Sequence, residues 1–172
     1  MRKRISEHKT DQNGGMREAA QVLDVEHLAE VEVTSEDPSF PIEHALLPRH
    51  RNGWRASESG VQVIRLHFEE PQTVRRVYLH FLETEVERHQ EFVLRWKEKG
   101  EEPLREIVRQ QWNFSPAGSQ HEIEDYRVML ENLSVLELEI TPDTDGGDAR
   151  CSLQQFYLSD TSDINRDISH ES

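Results

Sequence analysis

Ile64-Arg65-Leu66-His67-Phe68 and Val77-Tyr78-Leu79-His80-Phe81 each repeat an apolar side chain at every second position. Successive side chains on a β-strand point to opposite faces, so each stretch offers one face to a core and one to water. The same period recurs in Phe92-Val93-Leu94-Arg95-Trp96-Lys97 and in Leu136-Glu137-Leu138-Glu139-Ile140. Weaker versions cover residues 30–34, 104–112, 121–130 and 150–158. Between them stand Glu69-Glu70-Pro71-Gln72, Lys99-Gly100-Glu101, Ser115-Pro116-Ala117-Gly118 and Asp143-Thr144-Asp145-Gly146-Gly147, whose Pro and Gly residues suit turns. About eight strands at this spacing, with little helical periodicity, predict an all-β antiparallel sandwich. One short helical turn is expected around residues 41–47, where Pro41 fits a first helical position.

Working outward, the flanks lose this pattern. The first 28 residues carry almost no apolar run, with Asn13-Gly14-Gly15 in the middle, and predict a flexible tail. Residues 159–172 are polar and acidic and predict a disordered tail. The chain has 172 residues, with 20 Lys and Arg against 34 Asp and Glu, for a net charge of −14. The first 28 residues are balanced and the last 14 carry −3, so the expected folded unit, residues 29–158, carries −11. That charge repels nucleic acid and anionic lipid, which argues against both as partners. Cys151 is the only cysteine, which excludes an intrachain disulfide and any cysteine-rich metal cluster. No stretch approaches ~18 consecutive apolar residues, and no apolar run follows the basic first residues, so neither a membrane span nor a signal peptide is expected. A cytoplasmic location is the corresponding expectation.

The order of motifs resembles a known family. Val31-Glu32-Val33-Thr34-Ser35 leads to Pro41-Ile42-Glu43-His44-Ala45-Leu46 and Trp54. Gln62-Val63-Ile64-Arg65-Leu66-His67-Phe68 and Gln72-Thr73-Val74-Arg75-Arg76-Val77 follow, and Ala149-Arg150-Cys151-Ser152-Leu153 closes the series. This resembles the discoidin, or factor V/VIII type C, domain over residues 30–158. It also resembles uncharacterised bacterial carbohydrate-binding-like proteins with a Gln-Trp-Asn-Phe-Ser-Pro segment, here Gln111-Trp112-Asn113-Phe114-Ser115-Pro116. The resemblance implies a galactose-binding-like jelly-roll β-sandwich and a non-catalytic binding module, with carbohydrate as its ligand. A cytoplasmic protein-interaction module on the same fold is the alternative. In calcium-containing relatives the segment before the Trp carries Asp, Asn and Thr ligands. Leu47-Pro48-Arg49-His50-Arg51-Asn52-Gly53 offers two arginines there, so no calcium is expected.

Two clusters are candidate ligand sites. Arg49, His50 and Arg51, flanked by Trp54 and Arg55, could hold an anionic or sugar ligand through guanidinium forks and ring stacking. The structural alternative pairs these arginines with Glu36, Asp37 or Glu43 and leaves Trp54 as packing. Trp112, Asn113 and Phe114 could offer an aromatic face and an amide to sugar hydroxyls, or could cap the core. Placed at one end of a sandwich, the two clusters would form one site. His67 and His80 fall on the outward phase of neighbouring strand candidates and are expected to face each other, yet two imidazoles without a third ligand make a poor zinc site. No metal or cofactor is implied, and no phosphate loop, nucleophile elbow or zinc-protease motif indicates an enzyme. Tyr126 and Arg127 are expected to bond neighbouring loops, Glu83 to Arg88 to form a solvated loop, and Cys151 to pack.

Overall fold

In the computed structural model, which describes residues 22–161, the two decisive stretches belong to a single strand. The elements run α1 (Val25–Leu28), β1 (Ala29–Val33), α2 (Glu43–Leu46), β2 (Trp54–Ser59), β3 (Gln62–Leu82) and β4 (Arg88–Glu98). They continue with β5 (Arg105–Phe114), β6 (His121–Thr141), β7 (Arg150–Leu153) and β8 (Gln155–Ser159). Glu69-Glu70-Pro71-Gln72 is therefore not a turn between two strands. The β3–β6 register slips at three places between His67 and Arg76, and such irregularities let a strand bend from one layer into another. β6 likewise fuses the candidates at 121–130 and 136–140. Asn132 sits at its bend with φ of 61°, a left-handed conformation that Asn tolerates better than most residues.

The bend sorts the strands into two layers. The first half of β3 and the second half of β6 pair with β1 and β4, and β5 extends that layer beyond β4. The second half of β3 joins the first half of β6 on one side and β8 on the other. All these pairings are antiparallel. Phe92 of the first layer stacks on Phe81 of the second at 5.3 Å and meets Tyr126 edge-on at 6.5 Å, so the inner faces close on one another. Ile64, Leu66, Leu79, Leu94 and Leu138 complete the centre of this core, each fully buried. Burial of each such side chain is worth ~1.5–3 kcal/mol. A two-stranded sheet of β2 and β7 makes a third, small element. The eight strands form the antiparallel β-sandwich expected from the alternation.

Three expectations change. Residues 22–28, placed in the tail, are part of the packed unit: Val25 of α1 is buried and the Leu23 amide donates to the Leu158 carbonyl at 2.7 Å. Ser159 and Thr161 also have defined places, while residues 1–21 and 162–172 lie outside the described residues. His67 and His80 are thirteen positions apart on one strand and do not face each other; His67 bonds Glu32 at 2.8 Å and His80 meets His121.

The outer face of the first layer spends much of the acidity on a ladder of ion pairs. Arg65, Glu137 and Arg95 stand opposite one another on β3, β6 and β4. Arg65 Nε donates to Glu137 Oε2 at 2.8 Å and Arg95 Nη1 to Glu137 Oε1 at 2.9 Å. Arg95 also reaches Glu139 at 2.7 Å, and Glu32 lies 3.5 Å from Arg65. Glu137 is 4% exposed, although alternation placed it in water, because the two arginines cover it. Glu137→Ala should therefore lower stability by about 1–3 kcal/mol in urea unfolding, less than for a deeply buried pair because both arginines still touch solvent. An unchanged unfolding midpoint would contradict the role given to this carboxylate.

Candidate functional site

The loop between α2 and β2 holds the first candidate cluster. Arg49 is exposed and its Nη1 lies 3.3 Å from Glu26 Oε1 of α1, not from the acids expected to receive it. Glu36 instead accepts the Ile42 amide at 2.9 Å. His50 is half-buried against His44, ring centroids 4.6 Å apart. Burial, His44 and Arg49 all hold the His50 imidazole below its ordinary range, so it is neutral near pH 7. Arg51 and Arg55 are exposed, and neither guanidinium makes an ion pair with a described residue. The Arg55 guanidinium lies over the Phe40 ring at 4.7 Å, a cation–π contact that restrains the side chain.

Trp54 does not share that exposure. Its ring is 1% exposed and its Nε1 donates to the Ser35 carbonyl at 3.1 Å, so it has no face to give a ligand and acts as packing. Gly53 beside it has φ of 76°, and a Cβ there would meet the Leu153 carbonyl at 3.0 Å. The loop is further fixed by Gln154, whose amide nitrogen donates to the Arg51 carbonyl at 2.6 Å. Arg51 is thus presented by a rigid backbone.

The second cluster is not a loop but the end of β5, and strand geometry divides it. Trp112 and Phe114 point inward and Asn113 points out, so Asn113 cannot serve the same ligand face as Trp112. Phe114 is 1% exposed and lies under the Arg88 guanidinium at 4.7 Å, which removes it as a ligand contact. Trp112 is half-buried and Asn113 is exposed opposite His89. β5 is one edge of the first layer and β1 is the other, four strand spacings away, or ~19 Å. Arg49 is tied to α1, directly before β1, so the two clusters do not form one site.

A third group lies on the inward phase of β4 and β6, and it includes residues of the expected solvated loop 83–88 and of the expected Tyr126–Arg127 pair. Arg88 and Gln90 share the inward phase of Phe92 and Leu94; Glu122, Glu124 and Tyr126 share the inward phase of Leu130. Arg88 is fully buried. Its Nε donates to Glu83 Oε1 at 2.7 Å, and its Nη1 donates to Gln90 Oε1 at 3.0 Å and to the Pro142 carbonyl at 2.8 Å. Glu83 is held below its usual range: burial raises it, but Arg88 and the amides of Glu85 and Val86 outweigh that. Gln90 Nε2 then donates to Glu122 Oε1 at 3.1 Å. Arg88 Nη2 and Trp112 Nε1 are buried without a hydrogen-bond partner, whereas Glu122 and Tyr126 both lie against the Glu124 side chain between them. The Tyr126 hydroxyl therefore does not bond a neighbouring loop, and Arg127 is exposed. Burial, with the charges of Glu124 and Glu122, pushes the Tyr126 phenol up.

The outer face of the second layer is polar and aromatic. Tyr78 and Tyr157 stack at 6.2 Å, Arg76 holds Asp125 through two hydrogen bonds of 2.7 and 2.8 Å, and His80 Nε2 lies 2.9 Å from His121 Nδ1. Burial holds His80 below its ordinary range. Cys151 packs as expected: it is buried, its thiol is pushed up to about 12 by burial, and its Sγ lies 3.6 Å from the Ile140 carbonyl. Among the described residues no helix is long and apolar enough to cross a membrane.

No protein-family model matches the chain, and no curated protein matches it. Solved structures do. A pectin-binding carbohydrate-binding module superposes with a TM-score of 0.52 at 15% identity, over 79% of this chain and 94% of that one. The family 32 carbohydrate-binding module of NanJ from C. perfringens, solved with galactose, gives 0.51 at 14% identity, over 76% and 92%. A GH29 fucosidase of Ruminococcus gnavus gives 0.58 at 9% identity over 79% of this chain, which spans only 26% of that enzyme. These likenesses show the fold: the sandwich is the discoidin-type, galactose-binding-like jelly roll.

The buried group makes stability depend on pH through Glu122, which is 0% exposed and whose carboxyl is pushed up to about 9 by burial and by Glu124. The folded chain keeps a proton there that the unfolded chain releases near its ordinary value of 4.5. Its contribution is therefore complete below about pH 4.5 and is lost as pH rises towards 9, by up to ~1.4 kcal/mol per pH unit. Glu122→Gln keeps the oxygen that Gln90 needs and has no proton to lose. In urea unfolding the stability of this variant relative to the native chain should rise steadily between pH 5 and 9; parallel pH profiles would contradict the assignment.

Proposed function

We propose that this chain is a non-catalytic carbohydrate-binding module that meets its ligand at Arg51 and Arg55. The observation that carries this reading is the pair of exposed guanidinium groups on the α2–β2 loop and the start of β2, one of them held over the Phe40 ring at 4.7 Å. A guanidinium offers a planar fork of donors that matches sugar hydroxyls and, on acidic sugars, a carboxylate. The fold supports the reading, since it is shared with modules solved as a pectin binder and as a galactose complex, and the chain covers more than nine-tenths of each.

The mechanism is presentation by a rigid frame. The Gln154 bond to the Arg51 carbonyl, the close approach at Gly53 and the buried Trp54 hold the loop before any ligand arrives, so little ordering entropy opposes binding. The acidic remainder of the chain opposes long polyanions over about a Debye length, which favours neutral sugars or the end residue of an acidic chain. A glycan array covering galactosides, polyuronates and their oligomers tests this. A specific signal is expected on the native chain, with at least a tenfold loss in Arg51→Ala/Arg55→Ala and no loss in Asn113→Ala. No glycan signal, together with a stoichiometric protein partner, would replace this reading by a protein-interaction module.

A further inference from the structure

The outer face of the second layer starts beside the Arg51 loop, and one residue joins the two. The Gln154 backbone amide donates to the His80 carbonyl at 2.7 Å, while its side-chain amide donates to the Arg51 carbonyl at 2.6 Å. Gln155 then stands directly opposite His80 across β8 and β3, and Tyr157 opposite Tyr78. Successive outward residues on a strand lie ~7 Å apart, so one row continues from the loop over Gln155 and His80 to the two tyrosines. The row is tied together by its own contacts. Gln155 Nε2 donates to Tyr157 Oη at 3.3 Å, the tyrosine rings stack at 6.2 Å, and His121 of β6 lies 2.9 Å from His80.

The charge of this face differs from that of the whole molecule. Its strands present two guanidinium groups, Arg76 and Arg127, against one carboxylate, Asp125, in a chain of net charge −14. Asp125 is held by Arg76, and Arg127 is exposed with no ion pair among the described residues. Arg51 and Arg55 make the opposite end of the face basic as well. Between the basic ends stand amide, phenol and imidazole groups, which suit sugar hydroxyls and the C–H faces of sugar rings, while the guanidinium ends suit carboxylates. The outer face of the first layer offers no such run, because Arg65 and Arg95 are already held by Glu32, Glu137 and Glu139.

We propose that a short acidic oligosaccharide lies along this face, its end residue at Arg51 and its further residues over Gln155, His80, Tyr157 and Tyr78 towards Arg127. The proposal rests on the carbohydrate reading of the Arg51 and Arg55 patch and extends that site from one sugar residue to several. Because the row stands on paired strands, its groups are in place before the ligand arrives, and each added sugar residue binds as part of a ligand already anchored. From Gln155 to Ser159 the face measures ~14 Å along β8, at ~3.4 Å per residue, which limits the length of chain that gains contacts.

Isothermal titration calorimetry of the full chain with galacturonate and its dimer, trimer and tetramer tests the row. Affinity should rise at least tenfold from monomer to trimer and level off at the tetramer. Tyr157→Ala should bring the trimer to within about threefold of the monomer. Arg127→Gln, at an exposed position outside any described ion pair, should lower the trimer-to-monomer ratio about threefold and keeps the test valid if Tyr157→Ala fails to fold. Asn113→Ala, on the far edge of the other layer, should leave the ratio unchanged. Loss of the gain in either folded variant supports the extended site. Equal affinities for monomer and trimer, or a gain that survives both variants, would overturn it and leave Arg51 and Arg55 as a site for a single sugar residue. An array signal confined to neutral sugars, with no galacturonate binding, would overturn the acidic ligand alone, whereas no glycan binding in either experiment would remove the carbohydrate reading itself.

Discussion

Both layers of the molecule hang on one antiparallel ladder, β3 against β6, which pairs from Gln62 with Ile140 to Leu82 with His121. An isolated two-layer sandwich must bring together strands from separate sheets, with only side chains across the gap. Here the backbone hydrogen bonds themselves continue from one layer to the other, and the slips between His67 and Arg76 and the left-handed Asn132 supply the bend. The bend fixes what faces what. Because β3 crosses between layers, Leu66 and Leu79 of the same strand both reach the core from opposite sides. The two faces of each layer then divide between oil inside and charge outside.

That division explains how a chain with 34 acids and 20 basic residues stays folded. On the outer face of the first layer, the acids alternate with arginines across β1, β3, β6 and β4, so neighbouring strands attract and do not repel. Many of the surplus acids are exposed, among them Glu69, Glu70, Glu85, Glu87 and Glu101, where solvent screens them. The same economy fails at one place inside. Arg88 is a buried cation that one carboxylate, one carbonyl and one amide satisfy in all but one nitrogen, and Glu122 stays protonated beside it. A hydrophobic replacement of such a group is often at least as stable, so this buried cation is not what holds the sandwich together.

The alternation in Ile64 to Phe68, Val77 to Phe81 and Leu136 to Ile140 was enough to read an antiparallel sandwich, because a period of two survives any arrangement of the strands. Strand continuity was not legible. Pro71 and Gly-free acidic residues look like a turn whether the strand ends there or merely bends, and only the partner strand decides between them. For the same reason His67 and His80, placed on neighbouring strands by that false turn, share one strand. Of the candidate site, the exposure of Arg49, Arg51 and Arg55 was legible, since an acidic chain keeps its basic loop in solvent. Trp54 and Phe114 stood open between ligand contact and packing, because an aromatic ring looks the same in sequence whether it meets solvent or core. Trp112 and Asn113 separated once residues 112–114 became strand, since neighbours on a strand cannot serve one face. The Arg88 and Glu122 group had a signal, polar residues on the phase of Phe92 and of Leu130, but a phase can be read only after the strand ends are known.

A rigid ladder also decides where recognition can occur. Residues paired on both sides cannot move without breaking backbone bonds, so the interior of each layer cannot adapt to a ligand. What remains to anchor a ligand is the loop that carries Arg51, built on the small β2–β7 sheet. It offers charge and planarity in water, where each hydrogen bond competes with solvent and contributes little. A ligand at the loop is therefore chosen mainly by charge and shape.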